Sequence, residues 1–94
     1  MQNKEKELLV GAMEQCGKIT QFCSKALKFG LFSHHPNSRK TNGDEILTKY
    51  YRLQGIIEEL QRNRVLPTYN NDYINRIKHD AVVNVKSPKK FKNK

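Results

Sequence analysis

Lys49 and Arg52 bracket two tyrosines in the run Lys49-Tyr50-Tyr51-Arg52, and Lys18 lies four residues before Phe22. Cations beside aromatic rings suit a nucleotide, whose phosphates take the positive charge while the base lies against a ring. Tyr50 also falls on an apolar helical stripe, so Tyr51 is the stacking candidate of the pair. Phe22 shares a helical face with Lys18 and would wall a base pocket, although an aromatic at that spacing more often belongs to a core. Lys25 and Lys28 offer a positive rim, although the negative end of a helix accounts for both without a ligand and is the favoured reading. Other chemistries find less support. His34 and His35 could form an acid/base pair, but neither a nucleophile nor a carboxylate is placed beside them. There is no CxxC motif, and no cysteine lies near His34, His35 or His79, so no zinc site, other metal or cofactor is expected.

The charge balance points the same way. Eighteen Lys and Arg against nine Asp and Glu give a formal charge of +9, which favours nucleotides, nucleic acid or an acidic protein surface. Five of the eighteen are lysines in the final run KSPKKFKNK, so residues 1–85 hold thirteen basic and nine acidic residues, net +4. No apolar run is long enough for a membrane span or a signal peptide. The expectation is a cytoplasmic chain without membrane contact.

The positioning elements read as helices. From Lys4 to Phe29, Leu9, Ala12, Cys16, Ile19, Cys23 and Ala26 recur in steps of three and four, one helical stripe. Cys16 and Cys23 are about 10 Å apart on such a helix, beyond disulfide reach, and read as small core residues of a reducing compartment. Gly30 suits a left-handed cap. LFSHHPNSRKTNG, from Leu31 to Gly43, has the composition of a loop. Thr41 or Asn42 would cap a second helix that opens with Asp44 and Glu45, carries Ile46, Tyr50, Leu53, Ile57 and Leu60, and ends near Arg62. A shorter third helix is expected from Asn71 to about Val85, although VVNV also suits a strand. The prediction is an all-α fold of two long antiparallel helices and a short third, spanning 1–86, with a basic tail over 87–94. Two such helices cannot bury both stripes alone, so a helical bundle within a dimer or higher oligomer is expected.

The run MEQCGKITQFCSKALKFGL, Met13 to Leu31, resembles the first helix of small phage-type MazG-like nucleotide pyrophosphohydrolases. In that family an EExxE motif precedes a Ser-Lys pair and an Arg- or Lys-Phe-Gly ending; Ser24, Lys25, Lys28, Phe29 and Gly30 carry the likeness. KYYRLQGIIEEL, Lys49 to Leu60, is similar to the second helix with its ExxD motif, and VLPTYNNDYINRIKHDAV looks like the short third helix after a proline turn. The resemblance implies carboxylates at i, i+3 spacing on adjacent helices that hold magnesium against phosphates. Here the pattern departs. EExxE is replaced by Glu14, Gln15, Cys16, Gly17 and Lys18, and ExxD by Lys49 and Arg52 at its acidic positions. Three cations in place of three carboxylates repel magnesium, and Lys18, Lys49 and Arg52 would then contact phosphate directly; as plain helix-face residues they are ordinary solvated charges.

The resulting expectation is a non-enzyme: a MazG-like, phage-type pseudoenzyme that binds and sequesters a linear or cyclic nucleotide, such as an immune signal, without cleaving it. The alternative is a basic helical interaction protein that binds nucleic acid, weakly through its tail, or blocks an acidic host protein. Residual hydrolysis through Glu14, Glu58 or Glu59 is a third reading.

Overall fold

The computed structural model describes residues 1–87; the expected basic tail, Ser87 apart, lies outside the described residues. The chain is all-α: α1 (Asn3–Phe29), α2 (Asn42–Arg62) and α3 (Asn71–Lys86), with no strand among the described residues. VVNV is helical.

Each start has a local cause. At α1 the Gln2 backbone N–H donates to the Glu5 carboxylate at 2.8 Å. At α2 the Asp44 N–H donates to Thr41 Oγ1 at 3.0 Å and the Thr41 N–H to Asp44 Oδ2 at 3.1 Å, so two otherwise orphaned donors satisfy each other's residues. At α3 Asn70 Oδ1 accepts from the Tyr73 N–H at 2.8 Å.

The ends are as specific. Gly30 has φ 103° and ψ 155°, a positive-φ conformation with extended ψ rather than the expected left-handed helical cap; it is open essentially to glycine alone. α2 closes with Arg64 N–H on Gln61 O (3.0 Å) and Val65 N–H on Leu60 O (2.9 Å), the paired bonds of a Schellman motif. Arg64 takes its left-handed position at φ 61°, where glycine is the favoured residue.

α1 and α2 pack as an antiparallel hairpin. Asn42 meets Gly30, Lys49 lies over Phe22, and a Cβ on Gly11 would come within 3.3 Å of Ile56 Cδ1, so contacts advance along α2 as they recede along α1. α3 has only slight contact with this hairpin, and leaves Tyr73, Ile77, Val82 and Val85 exposed.

The packing corrects three expectations. Cys16 and Cys23 are exposed rather than core residues, and Tyr50, placed on the core stripe, is 42% exposed. α2 covers only one side of the broad apolar band on α1: Ile19 and Ala26 are half-buried, while the cysteines lie further round the helix. The described hairpin also holds a thin core, with Leu60 its one buried hydrophobic side chain.

Gly30→Ala is expected to lower stability by about 1–3 kcal/mol. Arg64→Gly is expected to raise it by about 0.5–1 kcal/mol, the left-handed penalty less the entropy of a freer unfolded chain. Both appear as shifts of the urea midpoint at constant m.

Candidate functional site

The loop between α1 and α2 folds against the helix ends and forms a partly open cavity of about 280 Å³ lined by Phe22, Lys25, Phe29, His34, Pro36, Lys40 and Glu45, among others. Its shape comes from backbone pairing. Asn42 is buried; its side-chain amide donates to Gly30 O at 3.0 Å, its N–H to Ser33 O at 2.9 Å, and the Gly43 N–H to Leu31 O at 2.9 Å. His34 pairs with Thr41 across the loop, while the Ser38 N–H donates to His35 O at 2.9 Å. His34 and His35 thus belong to an ordered loop: His34 Nδ1 lies 2.9 Å from His35 O, and His35 Nδ1 accepts from the Asn37 N–H at 3.2 Å.

Charge is organised around Phe22 and Glu45. Lys49 is buried, and its Nζ donates to Glu45 Oε1 at 2.7 Å, the two side chains being 10% and 19% exposed. The i, i+4 order with Glu first is the favourable one on a helix. Lys49 Nζ also lies 5.5 Å from the Phe22 ring centre and Lys25 Nζ 4.9 Å from it, so one aromatic ring holds two ammonium groups by its quadrupole. The Glu45 carboxyl is held below its ordinary range first by the Lys49 hydrogen bond, with the charges of Lys49, Lys40 and Arg52 adding to it. Asp44 is lowered chiefly by its hydrogen bonds from Thr41, with Lys40 adding. Around these carboxylates the site is cationic, an arrangement suited to an anion.

Of the residues expected from sequence, Phe22 and Lys25 line the cavity. Lys49 abuts it through Glu45 and Phe22 but is buried and paired, neither a solvated charge nor a free phosphate ligand. Lys28 lies 5.4 Å from the Phe29 ring centre. Arg52 is exposed one turn beyond Lys49 and acts on the site through its field on Glu45. Lys18 is exposed one turn before Phe22, and Tyr51 is exposed against Tyr50, ring centres 5.2 Å apart; neither lines the cavity.

Lys40, Phe29, Asn42 and Glu45 were not expected as site residues. The available signal was the run Lys40-Thr41-Asn42-Gly43-Asp44, a cation immediately before a helix cap. Gln15 Oε1 is a buried acceptor with no hydrogen-bond partner. Among the described residues no three His, Cys, Asp or Glu side chains converge as a metal set would. No family model, curated protein or solved structure matches this chain.

Lys49→Met leaves the Glu45 carboxylate without its partner and is expected to cost about 2–3 kcal/mol; Glu45→Gln combined with Lys49→Met restores most of it, as measured by urea denaturation. Because the folded pKa values of Asp44 and Glu45 are lowered, the native state binds fewer protons than the unfolded chain. Their stabilisation is present above the ordinary carboxylate range and is lost as pH falls through the lowered values, so the melting temperature is expected to drop below about pH 5. The Glu45→Gln/Lys49→Met variant flattens that drop.

Proposed function

We propose that this chain is a non-catalytic, MazG-like nucleotide-binding protein that captures a phosphate-bearing nucleotide in the loop cavity and holds it intact. The observation that carries the reading is the convergence of Lys25 and Lys40 on a cavity with phenylalanine walls, backed by Lys49 and Arg52. A base or ribose fits against Phe29 and Pro36, and the phosphates lie toward Lys25 and Lys40 as point charges. A cavity of about 280 Å³ takes one such moiety. Binding without turnover is supported by Lys18, Lys49 and Arg52 at positions where the similar family is acidic. It is also supported by the use of Glu45, the carboxylate of the cavity lining, in holding Lys49.

The biological reading that follows is sequestration. A small phage-type protein in the host cytoplasm, made in quantity, would lower the free concentration of a nucleotide immune signal, linear or cyclic. No helix among the described residues is long and apolar enough to cross a membrane. The alternative, a basic interaction protein for nucleic acid or an acidic protein, draws its support from α3, which stands off the hairpin with apolar residues exposed.

A metal-free thermal-shift screen against mononucleotides, triphosphates and cyclic dinucleotides tests the proposal. A ligand at a hundredfold its Kd stabilises the folded state by about 2.7 kcal/mol. The expected result is a rise in melting temperature for one nucleotide class, lost in Lys25→Ala/Lys40→Ala, kept on deletion of Ser87 to Lys94, with the nucleotide recovered unchanged after incubation with Mg²⁺ or Mn²⁺. No shift with any nucleotide overturns the proposal, and release of pyrophosphate or monophosphate replaces it with hydrolysis.

A further inference from the structure

We propose, resting on the reading of the loop cavity as an anion site, that His34 is a further ligand of that anion and takes up a proton as the anion binds, whereas the adjacent His35 stays neutral. Both imidazoles line the cavity, beside Lys25 of α1, Lys40 of the loop and Glu45 of α2. Their ring nitrogens are committed differently. His34 Nδ1 lies 2.9 Å from the carbonyl oxygen of His35; a carbonyl only accepts, so Nδ1 carries the hydrogen and the neutral ring keeps a bare Nε2. His35 Nδ1 accepts from the Asn37 N–H at 3.2 Å, so the hydrogen of that neutral ring is on Nε2. A proton added to His34 goes to Nε2 and leaves the bond to His35 O in place. A proton added to His35 must go to Nδ1, where it meets the Asn37 N–H and costs the loop a hydrogen bond. The neighbouring histidines are thus of opposite kinds: His34 charges within the loop as it stands, and His35 charges only by giving up its turn.

The surroundings decide when His34 charges. Lys25 and Lys40, as cations, oppose another positive charge on the cavity wall of the free protein, and Lys28 over the Phe29 ring adds to that side. The acidic groups of α2 offer little counterweight: the Glu45 carboxylate accepts from Lys49 Nζ at 2.7 Å, and Asp44 accepts from the Thr41 N–H at the helix cap. Among the residues that line the cavity, the histidines are the ones whose type changes charge between about pH 5 and 8. A dianion entering beside Lys25 and Lys40 reverses the sign of the field at His34, favours its imidazolium and gives the new Nε2–H an acceptor. The bound state then holds one more proton than the free one. Affinity therefore rises as pH falls, and levels off where His34 is charged in the free protein as well. The loop thereby supplies a charge-assisted donor that appears only with the ligand, beside the permanent cations Lys25 and Lys40.

Sulfate is the probe of choice, because it stays a dianion across this range, whereas a phosphate ester itself titrates near pH 6 and would hide the proton of the protein. NMR titration of the full chain with sodium sulfate is expected to show an affinity that rises at least about tenfold from about pH 8 to about pH 6. In His34→Asn the side-chain amide can still donate to His35 O from the place of Nδ1, and the affinity is expected to be nearly independent of pH. In His35→Asn the side-chain oxygen can still accept from the Asn37 N–H, and the pH dependence is expected to persist. One readout needs no variant: at about pH 7 the imidazole nitrogen shifts of the wild type are expected to show His34 passing from the Nδ1–H form to the imidazolium on saturation with sulfate, with His35 remaining the Nε2–H form. Sulfate affinity without pH dependence, a pH dependence that survives His34→Asn, or a His34 ring that stays neutral with sulfate bound overturns the proposal and leaves the anion reading of the cavity standing. Failure of sulfate and adenosine monophosphate alike to bind at any pH overturns both.

Discussion

The side-chain amide of Asn42 donates to the carbonyl of Gly30 across twelve positions of sequence, while the backbone of the same residue bonds Ser33. Asn42 is buried, so these groups have no water to fall back on, and losing a partner leaves the full desolvation penalty of the other. Much of the molecule follows from this. Gly30 adopts its glycine-only conformation, which turns its carbonyl toward Asn42. The next two positions are the first turn of α2, where Gly43 bonds back to Leu31 and Asp44 completes the cap. The end of α1, the loop and the start of α2 are therefore one hydrogen-bonded unit. It sets the antiparallel return, brings Phe22 opposite Lys49, and forms the rim of the cavity.

Within that frame, one cation is structural and others are available. An ammonium group as covered as Lys49 needs a partner and further contacts to offset its lost hydration, and it has both in Glu45 and the Phe22 ring. Its positive charge is largely consumed by Glu45. Lys25 shares the same ring and is in neither of the ion pairs found among the described residues, and Lys40 lines the cavity from the loop. Lys25 and Lys40 are therefore the cations that line the cavity, with Lys49 and Arg52 contributing field rather than contact.

The helix limits are legible in the sequence because their causes are local. Thr41 with Asp44, Asn70 before Tyr73, and the three-and-four spacing of apolar residues each act within one or two turns. Tertiary burial is less legible. Spacing tells which residues share a face, but not how wide an arc the neighbouring helix covers, and so Cys16, Cys23 and Tyr50 read as core although α2 reaches only Ile19, Ala26 and their side of α1. The site is split in the same way. Phe22 and Lys25 lie on a regular helix and can be picked out by register. Lys40 and Asn42 come from a loop whose Ser, Asn and Gly composition announces a turn without showing that its backbone closes over a cavity. Glu45, read as a dipole-matching residue of the first helical turn, has its larger effect one turn on, at Lys49.

The two faces of the hairpin have one energetic source in common. The cavity exists only while α1 and α2 are packed and Asn42 is buried, and an apolar trough exists only while Leu53 and Ile57 stand beside Leu9 and Met13. Anything that binds the cavity or the trough binds the packed hairpin and not the open chain, so it shifts the same folding equilibrium. Occupancy of either face raises the fraction of chains competent for the other, a positive coupling that requires no movement between two folded conformations. The coupling is largest where the isolated hairpin is least stable and vanishes where it is fully folded without either. With Leu60 the one buried hydrophobic side chain among the described residues, holding the hairpin packed is the constraint on which the geometry of the cavity depends.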